Sequence, residues 1–264
     1  MNQLIIGRYI QMDSLVHQLD PRTKLLTTFY FILIVFFANS LASYAVLLVF
    51  ILLGVKLSRI PIKFFFKGLK PMFWIILFTV IFQLLFTQGG KSYFSFGFIS
   101  ITSLGLQNAF YIFMRLFLII MMSTLMTLTT APLELTDGIE HLMRPLAKVG
   151  FPAHEVALML SIALRYVPTL MDEATTIMNA QRSRGVEFDE GSIMQRMKAV
   201  VPILVPLFVS AFNRAEELAT AMESRGYHGS EGRSKYRQLS LQREDVLVAL
   251  SLILWTGLVF FFRF

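Results

Sequence analysis

Two arginine-bearing hexapeptides stand in register in the polar part of this chain. They are Ala180-Gln181-Arg182-Ser183-Arg184-Gly185 and Ala221-Met222-Glu223-Ser224-Arg225-Gly226, offset by 41 residues (221 − 180). Each closes a long amphipathic stretch. A terminal glycine suits a helix C-cap in the left-handed conformation, and the cations Arg184 and Arg225 suit the negative end of a helix dipole. One copy would read as capping alone. Two copies sharing four of six positions point to a surface built to be gripped twice, because an arginine fork at a helix tip suits carboxylates and backbone carbonyls in a groove.

Other chemistry is sparse. Gly89-Gly90-Lys91-Ser92 resembles the end of a phosphate-binding loop, but the position required for its first glycine holds Leu85. The chain is therefore expected to bind no ATP and no cofactor. His17, His141, His154 and His228 are scattered, with no i,i+4 pair for a helical zinc site, so no metal is expected. The absence of cysteine excludes disulfides, thiolate chemistry and Cys-based zinc sites. With no persuasive serine or aspartate nucleophile motif, the expectation is a subunit that is not an enzyme.

The elements that must carry the two tips are membrane helices. The chain is 55% hydrophobic, with 26 phenylalanines and a mean hydropathy of +0.63. Leu25–Val55 is almost wholly apolar, long for one span and short for two. Asn39 and Ser40 interrupt it, so a tight hairpin of two helices is expected. That choice puts Arg22 and Lys24 on the same side as Lys56, Arg59, Lys63, Lys67 and Lys70, which read as one short basic cytoplasmic loop. The same distribution argues against nucleic acid as the reason for the net charge of +7. A third span is expected over Pro71–Phe86, then an outside loop Thr87–Leu106 whose only charge is Lys91. The fourth span is Ala109–Thr129, with Arg115 as the only ionised side chain inside a span. That arginine is either a functional group or one that snorkels or pairs between helices. No Asp, Glu or His falls in these spans, which weakens an ion-driven transporter.

Residues 131–246 hold fifteen of the seventeen acidic residues and thirteen of the twenty-four basic ones, and are expected to lie on the cytoplasmic side. A short helix over Leu133–Val149, a long one over Ala153–Ser183, a short amphipathic one near Gly191–Val200 and a long one from Pro202 to Ser224 are expected there. Pro168 and Pro206 would kink the two long helices. Ala211, Ala215 and Ala219 form a small-residue ladder, which reads either as an ordinary core face or as a surface on which another helix packs closely, so that the two long helices cross. Asp245–Phe264 forms the last span, with Arg263 at the outer interface. The boundaries are an N-terminal cytoplasmic segment 1–24, a four-helix membrane region 25–130, the insertion 131–245 and a final helix 246–264. Met1–Asp20 does not read as a cleaved signal peptide. Its end, Asp20-Pro21-Arg22-Thr23-Lys24, reads as a turn followed by a cationic helix start at the membrane interface.

The Leu19–Leu25 entry, the spans, the insertion and the paired Arg-Gly helix ends together resemble the transmembrane T component of energy-coupling factor (ECF) transporters. That family includes the cobalt and nickel permease subunits, and the resemblance covers essentially the whole chain. It implies an all-α polytopic membrane protein of about five transmembrane helices, with two long crossing coupling helices in its cytoplasmic insertion. It implies a bacterial cell-membrane scaffold for vitamin or metal uptake, with the N-terminus cytoplasmic and the C-terminus outside. The partners implied are two non-identical ABC ATPase subunits and a membrane-embedded substrate-binding S component. By the resemblance, Arg184 would enter a groove of one ATPase and Arg225 that of the other. Arg182 against Glu223 would help to tell the two apart. Two other readings are the permease half of an ordinary ABC importer, which offers one coupling element per subunit, and an ion-driven secondary transporter.

Overall fold

The computed structural model describes residues 9–96, 99–147, 150–188, 192–229 and 240–263, and the fold is an all-α polytopic membrane protein. The helices are α1 (Leu15–Gln18), α2 (Pro21–Phe37), α3 (Leu41–Ser58), α4 (Ile62–Leu69), α5 (Phe73–Phe86), α6 (Ser103–Thr129), α7 (Pro132–Ala147), α8 (Ala153–Ser183), α9 (Ile193–Ser224) and α10 (Arg243–Phe261). Packing divides the chain into two units, Met1–Gly138 with Gln238–Phe264, and Ile139–Arg237, so the boundary falls inside α7.

In the first unit α6 is the central helix, packed on α2, α3, α4 and α5. Its buried residues Leu118, Met121, Met122, Leu125 and Leu128 recur at three- and four-residue spacing. Tyr44, Leu47, Ile51 and Val55 do the same on α3, so helical periodicity alone turns one stripe of each helix inward. Small residues allow close approach where water supplies no driving force. A Cβ on Gly68 would lie 2.8 Å from Thr124 Oγ1.

The expected hairpin is present. Ala38 ends α2, and Ser40 caps α3 by accepting from the Ser43 N–H at 3.2 Å. Ser40 also donates to the Phe262 carbonyl, and Ser43 to the Val259 carbonyl at 3.2 Å, which ties the hairpin tip to the end of α10. At the opposite end the Lys24 ammonium reaches the Thr129 carbonyl at 3.0 Å. The starts of α2 and α10 and the ends of α3 and α6 therefore share one end of this bundle.

Four expectations change. The basic stretch after α3 is mostly helical. Arg59 is the left-handed C-cap of α3 (φ 58°), Lys63 and Lys67 stand four apart on α4 while Phe65 between them is buried, and a 3-10 turn over Lys70–Met72 carries the chain into α5. Lysines at that spacing around phenylalanines make an amphipathic helix, which pays less in unpaired backbone than a loop would. The expected loop Thr87–Leu106 contains an antiparallel hairpin, β1 (Ser92–Phe96) with β2 (Ile99–Thr102), paired Phe94 to Ile101 and Phe96 to Ile99; Gly97 and Phe98 lie outside the described residues. Gly90, with φ +76°, sits where a Cβ would collide with Ser103 Oγ, so this glycine serves a turn.

The short amphipathic helix and the long helix after Pro202 are one continuous α9 of 32 residues. It begins at a capping box in which Ser192 Oγ accepts from Gln195 N and Gln195 Oε1 accepts from Ser192 N. Pro202 reads as a helix start, yet here it lies within the helix, where leaving the helical path would strand more backbone groups in apolar surroundings than one missing N–H does. Finally, among the described residues the helices long and apolar enough to cross a membrane number five, as expected, but their membership differs: Leu41–Ser58, Ile62–Phe86, Ser103–Thr129, Ile193–Ser224 and Arg243–Phe261. Helix α9 thus qualifies by length and composition, while α2 has 17 residues.

Candidate functional site: the paired helix tips

Both arginine tips have the same backbone. Arg184 is the C-cap of α8 (φ −89°, ψ 6°) and Arg225 that of α9 (φ −91°, ψ 10°). Gly185 and Gly226 follow in the left-handed region at +85° and +69°. Gly185 N–H donates to the Arg182 carbonyl and Val186 N–H to the Gln181 carbonyl, each at 3.0 Å. In the second tip Gly226 N–H donates to Glu223 at 2.9 Å and Tyr227 N–H to Met222 at 3.0 Å. This is the Schellman pattern of paired bonds twice over, in which a β-carbon at the glycine would be strained by its φ. Ser183 and Ser224 turn back on their own helices, donating to the Asn179 and Ala221 carbonyls at 3.1 Å.

The capping reading therefore holds, and it leaves the arginines uncommitted to it. The caps are made by backbone, while Ser183, Arg184, Gly185, Ser224, Arg225 and Gly226 are all exposed. Among the described residues, no atom would lie within 4 Å of a Cβ placed on either glycine. Ala180 and Ala221 are exposed one turn behind. The tips differ at the third position. Arg182 lies over the Phe188 ring at 5.8 Å, whereas Glu223 is exposed.

Helices α8 and α9 pack on each other around an ion pair. Arg214 Nη2 donates to Glu173 Oε2 at 2.8 Å. These two residues are also 41 apart, the same offset as the hexapeptides. Each stands eleven residues before its tip arginine (184 − 173 and 225 − 214), about 16 Å of helix rise. The helices thus meet at equal depth, with arms of equal length beyond. Ala211, Ala215 and Ala219 line a cleft of about 340 Å³ between them, facing Ile162, Tyr166 and Leu170. By helical periodicity alone Glu173 and Arg214 lie off the apolar stripes of their helices. Their shared 41-residue offset was the signal that joins them.

The N-terminal motif belongs to the first unit. Asp20 caps α2 by accepting from Arg22 N–H at 2.9 Å, with Pro21 at the first helical position. The Asp20 N–H donates to Asp245 Oδ1 at 2.9 Å, and Asp245 Oδ2 accepts from Gln242 N–H at 2.8 Å. Lys24 is not an interfacial cation. It is 5% exposed, and its ammonium donates to the His17 carbonyl at 2.9 Å and the Thr129 carbonyl at 3.0 Å. His17 is held in turn: Nε2–H donates to the Ile10 carbonyl at 2.9 Å, which leaves Nδ1 to accept from the Ser14 hydroxyl at 2.6 Å. Burial is the main cause that holds the His17 pKa below its ordinary value, with the Lys24 charge adding to it and the Ile10 hydrogen bond opposing. Asp20, Lys24 and Asp245 form a polar knot binding the starts of α2 and α10 to the end of α6.

Comparison with known proteins agrees with this architecture. The sequence profile of the family described as cobalt transport protein, CbiQ, matches residues 12–236. The chain is 54% identical over 263 residues to the energy-coupling factor transporter transmembrane protein EcfT of Lacticaseibacillus paracasei, covering 100% of both. The protein of the same description from Streptococcus equi subsp. equi is 54% identical over 261 residues, 99% of this chain and 97% of the relative. That from Bacillus subtilis is 52% identical over 263 residues, 100% and 99%.

The chain belongs to the T-component family of ECF transporters. As a T component it is a multi-pass membrane protein and the transmembrane member of a multi-subunit transporter. Within that T component Arg115 pairs between helices. Its Nη2 donates to the Tyr44 hydroxyl at 3.3 Å and its guanidinium lies 5.2 Å from the centre of the Phe36 ring, so α6 is fastened to α3 and α2. Arg263 lies 5.9 Å from the rings of Phe37 and Phe260, an arrangement suited to a membrane interface.

Proposed function

We propose that this T component couples two ABC ATPase subunits to a membrane-embedded S component that carries a vitamin or metal across the membrane. The observation that carries the reading is the equivalence of the two tips: one backbone motif, two exposed arginines, and arms of equal length from a single ion pair. In this reading Arg184 docks in a groove of one ATPase and Arg225 in that of the other. The carboxylates and carbonyls of such a groove match the five guanidinium donors.

ATP binding and hydrolysis would change the spacing of the ATPases, and rigid arms joined near Glu173 and Arg214 would transmit that change as a pivot. The exposed apolar residues Leu204, Phe208 and Phe212 on α9 and Met159 on α8 suit a surface that slides against an S component, and methionine adapts to more than one partner. The difference between Arg182 and Glu223 gives each tip its own charge, which suits non-identical ATPases. The basic stretch from Lys56 to Lys70 and the shared end of α2, α3, α6 and α10 support a cytoplasmic placement of that end.

The test is assembly and transport after removal of the side chains. An interfacial arginine at a hot spot contributes about 2 kcal/mol or more, roughly thirtyfold in affinity. Arg184→Ala or Arg225→Ala should weaken retention of one ATPase, and the double variant should lose both together with ATP-driven uptake. Full assembly and uptake by the double variant would end the proposal.

A further inference from the structure

Helix α4 sits in a part of the chain that carries charge of one sign. No Asp or Glu occurs between Asp20 and Glu134. From the last turn of α3 to the start of α5 stand Lys56, Arg59, Lys63, Lys67 and Lys70, all exposed. Like charges four apart on a helix, as Lys63 and Lys67 are, destabilise it unless anions come from elsewhere.

The faces of α4 show where those anions must be. Successive helical residues turn by about 100°, which puts Phe65, Gly68 and Leu69 on one face and Lys63, Lys67 and Lys70 about 180° from it. The first face is the packed one. Phe65 is 1% exposed, and Gly68 meets α6 so closely that a Cβ would lie 2.8 Å from Thr124 Oγ1. The lysines therefore point away from the bundle. Exposed Ile62, Phe64 and Phe66 flank them, and Trp74, 73% exposed, follows one turn after Lys70. Lys67 lays its ammonium 5.6 Å from the centre of the Phe64 ring, so its stem follows apolar surface while its head stays outside.

Both ends of the segment are held by helices of membrane-spanning length and composition, Leu41–Ser58 before it and the stretch Ile62–Phe86 that it opens. Its depth fits the headgroup layer. Thr124, level with Gly68, stands five residues before the end of α6, about 7.5 Å of rise. The headgroup layer is about 5–8 Å thick on each side of a bilayer. An acidic protein surface would meet the cations and leave Phe66 and Trp74 in water, whereas the border of headgroups and acyl chains accommodates both.

We propose that α4 is a binding surface for anionic phospholipid headgroups, with the Lys63, Lys67 and Lys70 ammoniums on the phosphates and Phe64, Phe66 and Trp74 among the upper acyl carbons. It thereby selects lipids of net negative charge over zwitterionic ones, since each lysine near such a surface contributes about fivefold in affinity.

The test uses the full-length chain in vesicles of equal phosphatidylglycerol and phosphatidylethanolamine, extracted in mild detergent, with the retained lipids counted by native mass spectrometry. The wild-type chain should hold phosphatidylglycerol in excess. Lys63→Gln, Lys67→Gln and Lys70→Gln together should lower the ratio of the two lipids at least about fivefold. Lys63→Arg, Lys67→Arg and Lys70→Arg together keep the charge and should keep the ratio. A phosphatidylglycerol with a diazirine at the top of one acyl chain should label residues 62–66 of the wild-type chain more strongly than the matching phosphatidylethanolamine. If the glutamine variant fails to fold, the two photolabels decide alone. No excess of phosphatidylglycerol on the wild-type chain, a smaller fall in the glutamine variant, an equal fall in the arginine variant, or equal labelling by the two lipids would each overturn the assignment. So would loss of a co-purifying protein from the glutamine variant with its lipid ratio unchanged, which would give the lysines to an acidic protein surface.

Discussion

The polar knot of the first unit and the arginine tips of the second treat charge in opposite ways. Asp20, Lys24 and Asp245 are each at most 5% exposed, and their side chains hydrogen-bond to backbone groups within the bundle. Arg184 and Arg225 are exposed, and the helix ends they sit on are already capped by their own backbone. A charged group satisfied inside the fold explains its own presence. One that the fold does not use, repeated at a second helix end with the same geometry, calls for something outside. On the proposed function, the difference separates residues that hold the bundle together from residues offered to a partner.

That contrast can be broken by stability measurements. Asp245→Ala removes the acceptor of two backbone donors, one of them the buried N–H of Asp20, and each orphaned group costs about 1–3 kcal/mol. The purified chain should lose several degrees of thermal stability, whereas Arg184→Ala with Arg225→Ala should leave the unfolding temperature unchanged. A large loss in the tip variant would place those arginines in the fold instead. The Glu173–Arg214 pair is partly exposed, with 23% and 30% of the side chains accessible, so Arg214→Glu should cost about 1 kcal/mol. It should uncouple ATP hydrolysis from uptake more than it impairs assembly. Exchange of both residues, Glu173→Arg with Arg214→Glu, should restore coupling; failure of the exchange would remove the pivot from the mechanism.

The smallest effect lies in pH. Because the folded chain holds His17 neutral below its ordinary value, the unfolded chain takes up the proton first. The associated stability is present above about pH 6.5 and fades as the pH falls through that value. Unfolding temperatures between pH 7.5 and 5.5 should show this fall, and His17→Gln should flatten that part of the profile.

Much of this was legible in the sequence. The apolar runs fixed the hairpin and the α6 and α10 spans, and Ala153–Ser183 matches α8 at both ends. The glycine after each arginine announced the left-handed caps. What escaped depended on partners distant in the chain. Lys24 looks interfacial until Thr129 supplies a carbonyl 105 residues away. Glu173 looks like a solvated charge until α9 brings Arg214 against it. Pro202 reads as a start because local rules disfavour it inside a helix, and the cost of exposing backbone in apolar surroundings is not a local property. The strand pairing at Ser92–Thr102 was hidden by glycines that resemble a loop.

The absence of cysteine permits a direct test of the docking claim. With Ser183→Cys or Ser224→Cys as the chain's single thiol, and both arginines kept, a short thiol-anchored photocrosslinker can be activated in native membranes. Each tip should capture an ATP-hydrolysing subunit from the cytoplasmic side. Modification of either thiol by a membrane-impermeant reagent added outside intact cells, or crosslinks to no such subunit from either position, would contradict the account.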